Sequence, residues 1–263
     1  MSAAPAVRPT SPAAEAFGAV AERFDERYGA WLTVAAQRRA VRRYLEDAFP
    51  AGSRLLELGG GTGEDAIHLA SKGRHVLLTD GAFEMVEVAE RKITAAGLRD
   101  SIDLSCLALE ELSDLADERE RAGVPPFDGA YSNFAALNCV DDLAPVGAAL
   151  ARLLRPSGRA LLVVFGPFCL SELAVLPLAG DAKGVFRRFS KGKVAAKIGG
   201  REFTVRYPAP REIARAFGPR LALRRVRGVG VFVPGSAVEP GLSRFPGIVN
   251  VLETLDRVAS APL

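Results

Sequence analysis

Short apolar runs alternate with segments of helical spacing along residues 54–165, and this alternation is the strongest constraint on the fold. Each run is too short for a helix and is bounded by turn residues, which is typical of a buried strand. Buried strands separated by helices form a parallel sheet covered on both faces, so we expect a doubly wound α/β fold. The predicted strands are Arg54–Leu58, His75–Thr79, Ile102–Leu107, Asp128–Ser132 and Arg159–Phe165, and the predicted helices between them are Glu64–Lys72, Phe83–Ala96, Glu110–Ala122 and Leu143–Leu154.

The segments on either side of this core have less regular patterns. Residues 1–14 begin with an Ala-, Pro- and Ser-rich stretch and are expected to form a disordered tail, whereas residues 13–49 predict one or two helices. We expect a single domain over residues 15–263, with a lid or insertion at 167–209. The later candidate elements are a helix over Cys169–Leu178, a strand over Arg201–Tyr207, a short helix over Pro210–Phe217, one strand or a hairpin over Leu221–Val233, and a weak helix over Ile248–Val258.

Composition argues against several classes of protein. No apolar run approaches the roughly 18–20 residues that cross a bilayer, and the N-terminus lacks the apolar stretch of a signal peptide. Three cysteines (Cys106, Cys139 and Cys169) and two histidines support neither a disulfide framework nor a zinc site. We therefore expect a reduced, cytoplasmic protein without a metal ion and without membrane contact.

The net charge of +3 is unevenly distributed along the chain. Residues 181–230 carry 14 Lys or Arg against three acids, so the rest of the chain carries 20 bases and 28 acids. A solvated face is the favoured interpretation of such a segment, and an anionic ligand is the next. RNA is disfavoured because the nearby aromatic residues form no recognisable base-stacking module.

A glycine-rich turn over Gly59–Gly63 follows the first predicted strand and precedes the first helix of the core. That geometry lets main-chain N–H groups approach a ligand closely. A dinucleotide site needs G-x-G-x-x-G, but a register from Gly59 puts Glu64 at the last glycine, where a diphosphate needs room and no negative charge. A register from Gly60 puts Thr62 at the second glycine. The dinucleotide pattern is absent, which disfavours a nicotinamide-dependent oxidoreductase.

Two acids flank this turn. Glu57 stands two positions before the first glycine, and Asp80 ends the second strand. An acid before the turn suits a ligand with a cationic ammonium group and no phosphate, because Glu57 can engage that charge directly or through water. Asp80 lies about where a bidentate acceptor would hold a ribose with two free hydroxyls. The turn and the two acids together form a far more specific pattern than the glycines alone.

Residues 54–165 resemble the cofactor-binding core of the class I S-adenosylmethionine-dependent methyltransferases. More narrowly, Leu58–Ala66 and Ser132–Cys139 resemble the type 11/25-like group of bacterial small-molecule methyltransferases. The resemblance implies an enzyme with S-adenosyl-L-methionine as cofactor and a doubly wound, mostly parallel seven-stranded sheet, with N-terminal helices and a lid after the fifth strand. It covers the first two-thirds of the chain well and the last third loosely. Many relatives have an acid near Ala108 and a Cys at the position of Gly60, and the first departure puts the adenine contacts in doubt.

The resemblance also implies a set of cofactor-binding positions. In chain order these are Tyr28 over the cofactor, Glu57, Gly59, Gly60 and Gly61 at the methionine end, Asp80 at the ribose, Phe83, Met85 and the main-chain N–H of Leu109 at the adenine, and Ser132 and Asn133 nearest the sulfonium.

The sequence contains no pattern that identifies a catalytic residue. Methyl transfer from a sulfonium depends mainly on proximity and alignment, and a base is needed only when the acceptor must lose a proton. The candidates are Tyr28, His68, Asn133 and Asn138. A structural role is the favoured alternative for His68, and packing is the favoured alternative for Tyr28 and Trp31.

The expected acceptor is a small molecule, anionic if the basic segment contacts it. Three other functions stay open: a non-catalytic S-adenosylmethionine-binding protein, an RNA methyltransferase, and an aminopropyl transferase that uses the decarboxylated cofactor. The basic segment argues against the last, because polyamine acceptors favour an acidic pocket. Whether O, N, C or S is methylated is open, as is the choice between monomer and homodimer.

Overall fold

Five parallel strands form the central sheet in a computed structural model, which describes residues 11–169, 187–189, 192–235, 238, 239 and 241–260. They lie in the order β3-β2-β1-β4-β5. The direction of winding reverses between β1 and β4, which is where open α/β sheets bind ligands. The strands are β1 (Arg54–Leu58), β2 (His75–Asp80), β3 (Ile102–Cys106), β4 (Phe127–Ser132) and β5 (Leu154–Leu162).

Helices cover both faces of the sheet, as the unbroken apolar strands predict. In β1, Leu55 packs into the core on one face, while Leu56 and Leu58 pack into the core on the other. Helices α3, α4 and α5 cover the Leu55 face, and α6, α7 and α8 cover the opposite face. The nine helices of the described residues are α1 (Pro12–Gly18), α2 (Ala21–Tyr28), α3 (Leu32–Ala48), α4 (Glu64–Ala70), α5 (Phe83–Ala95), α6 (Leu112–Arg121), α7 (Leu143–Leu153), α8 (Pro210–Phe217) and α9 (Pro246–Ala259).

The N-terminal region is more ordered than the sequence predicts. It holds three helices rather than one or two, and α1 begins inside the expected disordered tail. The reason is an N-cap: Ser11 Oγ accepts a hydrogen bond from Ala14 N at 3.1 Å, and Pro12 occupies the first turn. Residues 1–10 of the predicted tail lie outside the described residues.

The doubly wound class is confirmed, but the predicted strand count is wrong for the described part of the chain. The central sheet has five strands, not seven. The segment Arg201–Val205 (β7) pairs instead with Val194–Ile198 (β6) in a separate antiparallel hairpin. This hairpin packs on α1, with the rings of Phe17 and Phe203 5.5 Å apart.

No strand forms over Leu221–Val233, although its apolar residues predict one. Side chains hold its main chain in another conformation: Gln37 Nε2 donates to Val233 O at 3.2 Å, and Phe232 N donates to Asp256 Oδ1 at 2.6 Å. Part of the predicted lid, at 170–186, 190 and 191, lies outside the described residues, as does nearly all of the predicted helix over Cys169–Leu178. None of the helices that the structure describes is long and apolar enough to cross a membrane.

Candidate cofactor site

The glycine turn is fastened to the carboxyl end of β2. Gly60 N donates to Thr79 O at 3.0 Å, and Gly61 N donates to Asp80 Oδ2 at 2.8 Å. The turn that follows β1 is therefore hydrogen-bonded to the end of the neighbouring strand β2. It borders a cleft of about 2210 Å³ whose lining includes residues at the carboxyl ends of β1, β2 and β4.

The glycines of this turn have different structural roles. A Cβ at Gly59 would overlap the side chain of Ala136, and a Cβ at Gly60 would lie 2.5 Å from Leu78 and 2.8 Å from Glu57 Oε2. A Cβ at Gly61 would meet no atom within 4 Å, because this glycine faces the cleft, and its φ of +55° disfavours other residues. Of the three glycines, only Gly61 leaves space open at the cleft. Gly59 and Gly60 are needed because neighbouring side chains pack against them.

Asp80 lies half-buried at the edge of the cleft. Its two carboxylate oxygens accept hydrogen bonds from Ala82 N at 2.9 Å and from Gly61 N at 2.8 Å. Burial raises the pKa of Asp80 above its ordinary value, and these two N–H groups oppose the shift. Each oxygen keeps a second lone pair, so the carboxylate can still accept bonds from a pair of hydroxyls.

Glu57 also borders the cleft, beneath the turn. It is 2% exposed and lies beside the fully buried hydroxyl of Tyr131. Neither that hydroxyl nor Glu57 Oε2 makes a hydrogen bond of good geometry among the described residues. Burial, reinforced by the neighbouring Asp65 carboxylate, raises the pKa of Glu57 well above its ordinary value. A buried acceptor without a partner is costly, and a cationic donor in the cleft would relieve that cost.

Asp65 joins the end of β4 to helix α3, a connection that sequence reasoning missed. Asn133 Nδ2 donates to Asp65 Oδ2 at 2.7 Å, and Arg42 Nε donates to Asp65 Oδ1 at 2.7 Å. Asn133 borders the cleft and is 7% exposed, and its Oδ1 has no partner among the described residues. The hydrogen bond from Nδ2 to Asp65 therefore orients the Asn133 side chain, and Oδ1 is left to accept a hydrogen bond from a ligand.

Two predicted positions at the end of β4 turn away from the cleft. Ser132 is fully buried, and its Oγ donates to Leu58 O at 2.9 Å, which ties β4 to β1. Asn138 Nδ2 donates to Phe165 O and Arg206 O at 2.8 and 2.6 Å, and its Oδ1 accepts from Phe165 N at 3.0 Å. Neither side chain borders the cleft within the described structure. Both side chains are hydrogen-bonded into the fold, and their predicted roles stay predictions.

His68 likewise does not border the cleft within the described structure. Its Nε2 lies 2.8 Å from Glu46 Oε1 on α3. The same carboxylate accepts a hydrogen bond from Lys72 at 2.7 Å. Within the described residues these contacts account for the imidazole, so the structure gives no support to His68 as a catalytic candidate.

The expected adenine positions are only partly brought together. Met85 is 2% exposed, Leu109 is 8% exposed, and both border the cleft near Asp80. Phe83 is 48% exposed at the start of α5 and does not border the cleft in the described chain. Because Phe83 occupies the first turn of its helix and points outward, its predicted contact with a base is not supported.

An aromatic row covers the cleft from the N-terminal side. Tyr28 borders the cleft, with its ring 4.7 Å from that of Phe24 and 4.9 Å from that of Trp31. Helix α2 is anchored to the glycine turn because Thr62 Oγ1 donates to Asp25 Oδ1 at 2.7 Å. The contact of Tyr28 with the cofactor stays a prediction, and this anchor was missed by sequence reasoning.

A strained turn follows Asn133. Phe134 and Ala135 have φ angles of +51° and +76°, and both residues border the cleft. Each of these backbone conformations costs about 1–3 kcal/mol, which the surrounding packing must offset. Strained residues of this kind cluster at ligand sites. The turn carries β4 away from the sheet and holds the cleft open beside the glycines.

The family model for a methyltransferase domain matches residues 55–158. The malonyl-[acyl-carrier protein] O-methyltransferase of Halorhodospira halophila is 31% identical over 215 residues, which cover 76% of this chain and 67% of the relative. The chain belongs to the class I S-adenosylmethionine-dependent methyltransferases, in the type 11/25 group.

Other relatives are matched over a smaller share of their length. Tuberculostearic acid methyltransferase UfaA1 of Mycobacterium tuberculosis is 30% identical over 136 residues, 49% of this chain and 28% of the relative. The tRNA 5-carboxymethoxyuridine methyltransferase of Escherichia coli is 32% identical over 106 residues, 38% of this chain and 40% of the relative. The chain thus spans less than two thirds of the length of these curated relatives.

Solved structures share the fold. A putative S-adenosylmethionine-dependent methyltransferase from Listeria monocytogenes superposes with a TM-score of 0.55 at 17% identity, over 81% of this chain and 90% of that one. A DhpI–SAM–HEP complex superposes with a TM-score of 0.54 at 20% identity, over 78% of this chain and 85% of that one. The predicted class of enzyme and the predicted cofactor are confirmed at the level of the family; the individual cofactor-binding residues stay predictions.

Proposed function

We propose that this protein transfers the methyl group of S-adenosylmethionine to a small molecule that carries an anionic group. The proposal depends mainly on one observation at the cleft. Gly61 N is hydrogen-bonded to Asp80 Oδ2, and both residues border the cleft together with Glu57, whose Oε2 has no hydrogen bond of good geometry among the described residues. A nucleoside whose ribose bears two hydroxyls and whose side chain bears an ammonium group matches these acceptors. The glycine that faces the cleft leaves room for that ligand.

The residues fit the cofactor in three respects. Asp80 would accept from the ribose hydroxyls through its free lone pairs, and Glu57 Oε2 and Asn133 Oδ1 would accept from the ammonium group. Met85 and Leu109 would line an apolar slot for the base. When bound, S-adenosylmethionine supplies a methyl group on an excellent leaving group; the chain's own residues hold and align it and exclude water.

An anionic acceptor is supported by Arg188, which also borders the cleft. Its guanidinium donates to Gly166 O at 3.3 Å and lies 5.4 Å from the ring of Phe165 and 5.0 Å from that of Tyr207. Arginine side chains that stack on aromatic rings are a common means of binding a carboxylate or phosphate. The names of two relatives specify a malonyl and a carboxymethoxy group, and both groups bear a carboxyl.

An acceptor that is already anionic also removes the need for a base. A carboxylate or phosphate oxygen can attack the methyl group without losing a proton, so alignment supplies the rate. The thiol of Cys139 borders the cleft, but burial raises its pKa to about 12, so it stays protonated at neutral pH. The amide of Asn133 is too weakly basic to take up a proton at that pH, so we expect Asn133 to act only as a hydrogen-bond acceptor through Oδ1.

The test is an acceptor screen that follows S-adenosylhomocysteine formation by mass spectrometry. Carboxylates and phosphates are compared with neutral isosteres such as the matching amides. We expect turnover with anionic members and loss of that turnover in Arg188→Met, with cofactor affinity unchanged. Turnover of neutral members alone would contradict the anionic acceptor. Binding of S-adenosylmethionine without product from any acceptor, including RNA, would favour a non-catalytic binding protein.

A further inference from the structure

Helix α9 exposes a continuous apolar stripe to solvent. The α9 stripe consists of Ile248, Val251, Leu255 and Val258, which are 50%, 60%, 44% and 73% exposed. Their spacing of three, four and three residues places all four on one side of the helix, as in helices that pair in coiled coils. Single exposed apolar side chains need no explanation, but a contiguous row of them marks an interaction site.

The other two sides of α9 are already accounted for. On one side, Val249 is buried in a cluster with Ala36 of α3, and Glu253 Oε2 accepts a hydrogen bond from Arg39 of the same helix at 2.6 Å. A helix needs only one apolar side to pack on its own protein. The second apolar side of α9 therefore indicates a second packing partner. The third side is polar and exposed, with Asn250, Thr254 and Arg257.

The spacing of the α9 stripe is symmetric about Glu253, with residues two and five positions away in each direction. Two copies of α9 packed antiparallel, with a twofold axis beside Glu253, would bring Val251 opposite the partner's Leu255. The same axis would bring Ile248 opposite the partner's Val258. Each contact then occurs twice, as an interface between identical surfaces requires. The stripe is thus complementary to a second copy of itself.

Charges do not oppose this pairing. The stripe carries no charged side chain, and Glu253 and Asp256 of the described helix are buried against the fold. Arg257 is exposed on the polar side, four residues from the twofold axis. The two copies of Arg257 would lie about 12 Å apart along the helices, which exceeds the Debye length at physiological salt. A helix that binds a membrane surface instead has a polar side rich in Lys and Arg.

The exposed area is enough for a small dimer interface. Phe245, directly before the helix, is 57% exposed and adds to the stripe. At about 100 Å² for each of the five side chains, two copies would bury about 1,000 Å², the lower limit for a specific interface. We propose that the α9 stripe is the interface of a homodimer in which the two α9 helices pack antiparallel. This proposal does not depend on the proposed function, because α9 does not border the cleft in the described structure.

The test measures the mass of the full chain by analytical ultracentrifugation over a range of concentrations. We expect wild type to dimerise with a dissociation constant in the micromolar range, because the buried area is small. Val251→Glu and Leu255→Lys should each weaken the dimer by at least about 100-fold, since each puts two uncompensated charges into an apolar interface. Both side chains are exposed in the single chain, so we expect both variants to fold.

Mixing the two variants tests the antiparallel register. In a dimer with one copy of each, the introduced carboxylate faces the introduced ammonium group, and the opposite contact between Leu255 and the partner's Val251 stays apolar. The mixture should therefore dimerise at least about tenfold more tightly than either variant alone. A mixture that stays as weak as the separate variants would overturn the antiparallel register.

Asn250→Glu is the matched control. It adds the same charge to the polar side of the same helix, so it should dimerise as wild type does. Wild type that is monomeric at about 100 µM would overturn the proposal, and binding of that monomer to vesicles of anionic lipid would assign the stripe to a membrane surface. A Val251→Glu protein that still dimerises as wild type does would also overturn it, because the interface would then lie elsewhere.

Discussion

The main-chain N–H of Gly61 donates to Asp80 Oδ2 at 2.8 Å, which bonds the cleft-facing glycine directly to the acid at the end of β2. The second oxygen of Asp80 is bonded to Ala82 N, at the start of α5. The acid is thus held by main-chain donors on both sides before any ligand arrives. A side chain held in this way loses little further entropy on binding, which favours affinity.

Replacing Asp80 with alanine should abolish most of the cofactor affinity. The variant loses the charged acceptor for the ribose and releases Gly61 N, and a hydrogen bond to a charged group contributes about 1.5–3 kcal/mol. We expect the dissociation constant for S-adenosylhomocysteine to rise by roughly 10- to 150-fold in calorimetry. Asp103→Ala, which removes an exposed acid from β3, is the control and should bind as wild type does. An Asp80→Ala affinity within twofold of wild type would refute the ribose assignment.

The glycine turn predicts opposite consequences for two neighbouring substitutions. Gly60→Ala should lower the thermal midpoint strongly, because its Cβ would lie 2.5 Å from Leu78 and 2.8 Å from Glu57 Oε2. Gly61→Ala meets no atom and should cost only about 1–2 kcal/mol for its left-handed conformation. It should nevertheless lose cofactor affinity, because the methyl group occupies the cleft. Thermal melts and calorimetry together check this, and a Gly61→Ala protein with wild-type affinity would show that the ligand lies elsewhere.

Asn138→Ala should reduce stability and spare the cofactor site. The side chain makes three hydrogen bonds, to Phe165 N, Phe165 O and Arg206 O, and their loss leaves main-chain groups without partners. We expect urea unfolding to show a loss of roughly 2–4 kcal/mol. Exposed Asn250 on α9 provides the control substitution. Unchanged stability with lost turnover would instead restore Asn138 as a catalytic candidate.

The buried Glu57 carboxyl makes stability depend on pH. Its folded-state pKa is raised, so its contribution to stability is fully present below the unfolded pKa and is lost as pH rises through the folded pKa. Glu57→Gln removes this loss, so the free energy of unfolding of the variant should exceed that of wild type increasingly from pH 5 to pH 8.

Urea unfolding of both proteins across this range measures the difference. The variant should also bind S-adenosylmethionine more weakly, since an amide cannot match a carboxylate as acceptor for an ammonium group. Parallel stability curves for the two proteins would mean that Glu57 is charged without penalty in the fold. Unchanged affinity would remove Glu57 from the methionine end of the site.

The elements of the core could be predicted because their signals are local. The run Arg54–Leu58, the glycines and Asp80 follow one another along the chain, and strand, turn and acid are specified by neighbours in sequence. Leu221–Val233 shows where this fails. Its pattern is that of a strand, yet Gln37 and Asp256 from distant helices bind its main chain in the described structure.

The site could be predicted only where its residues lie on the sheet. Asn133 and Asn138 are both polar residues near the end of β4, and no local pattern separates the one that borders the cleft from the one that is bonded into the fold. The tight turn at Phe134 and Ala135 makes that difference, and neither residue type signals a positive φ.

The most direct test of the account is calorimetry of the wild-type protein with S-adenosylmethionine, S-adenosylhomocysteine and NADH. The site is proposed to bind a ribose and an ammonium group, with no place for a diphosphate. We predict micromolar binding of the first two ligands and no binding of NADH. Binding of NADH, or of none of the three, would contradict the assignment of this cleft as the cofactor site.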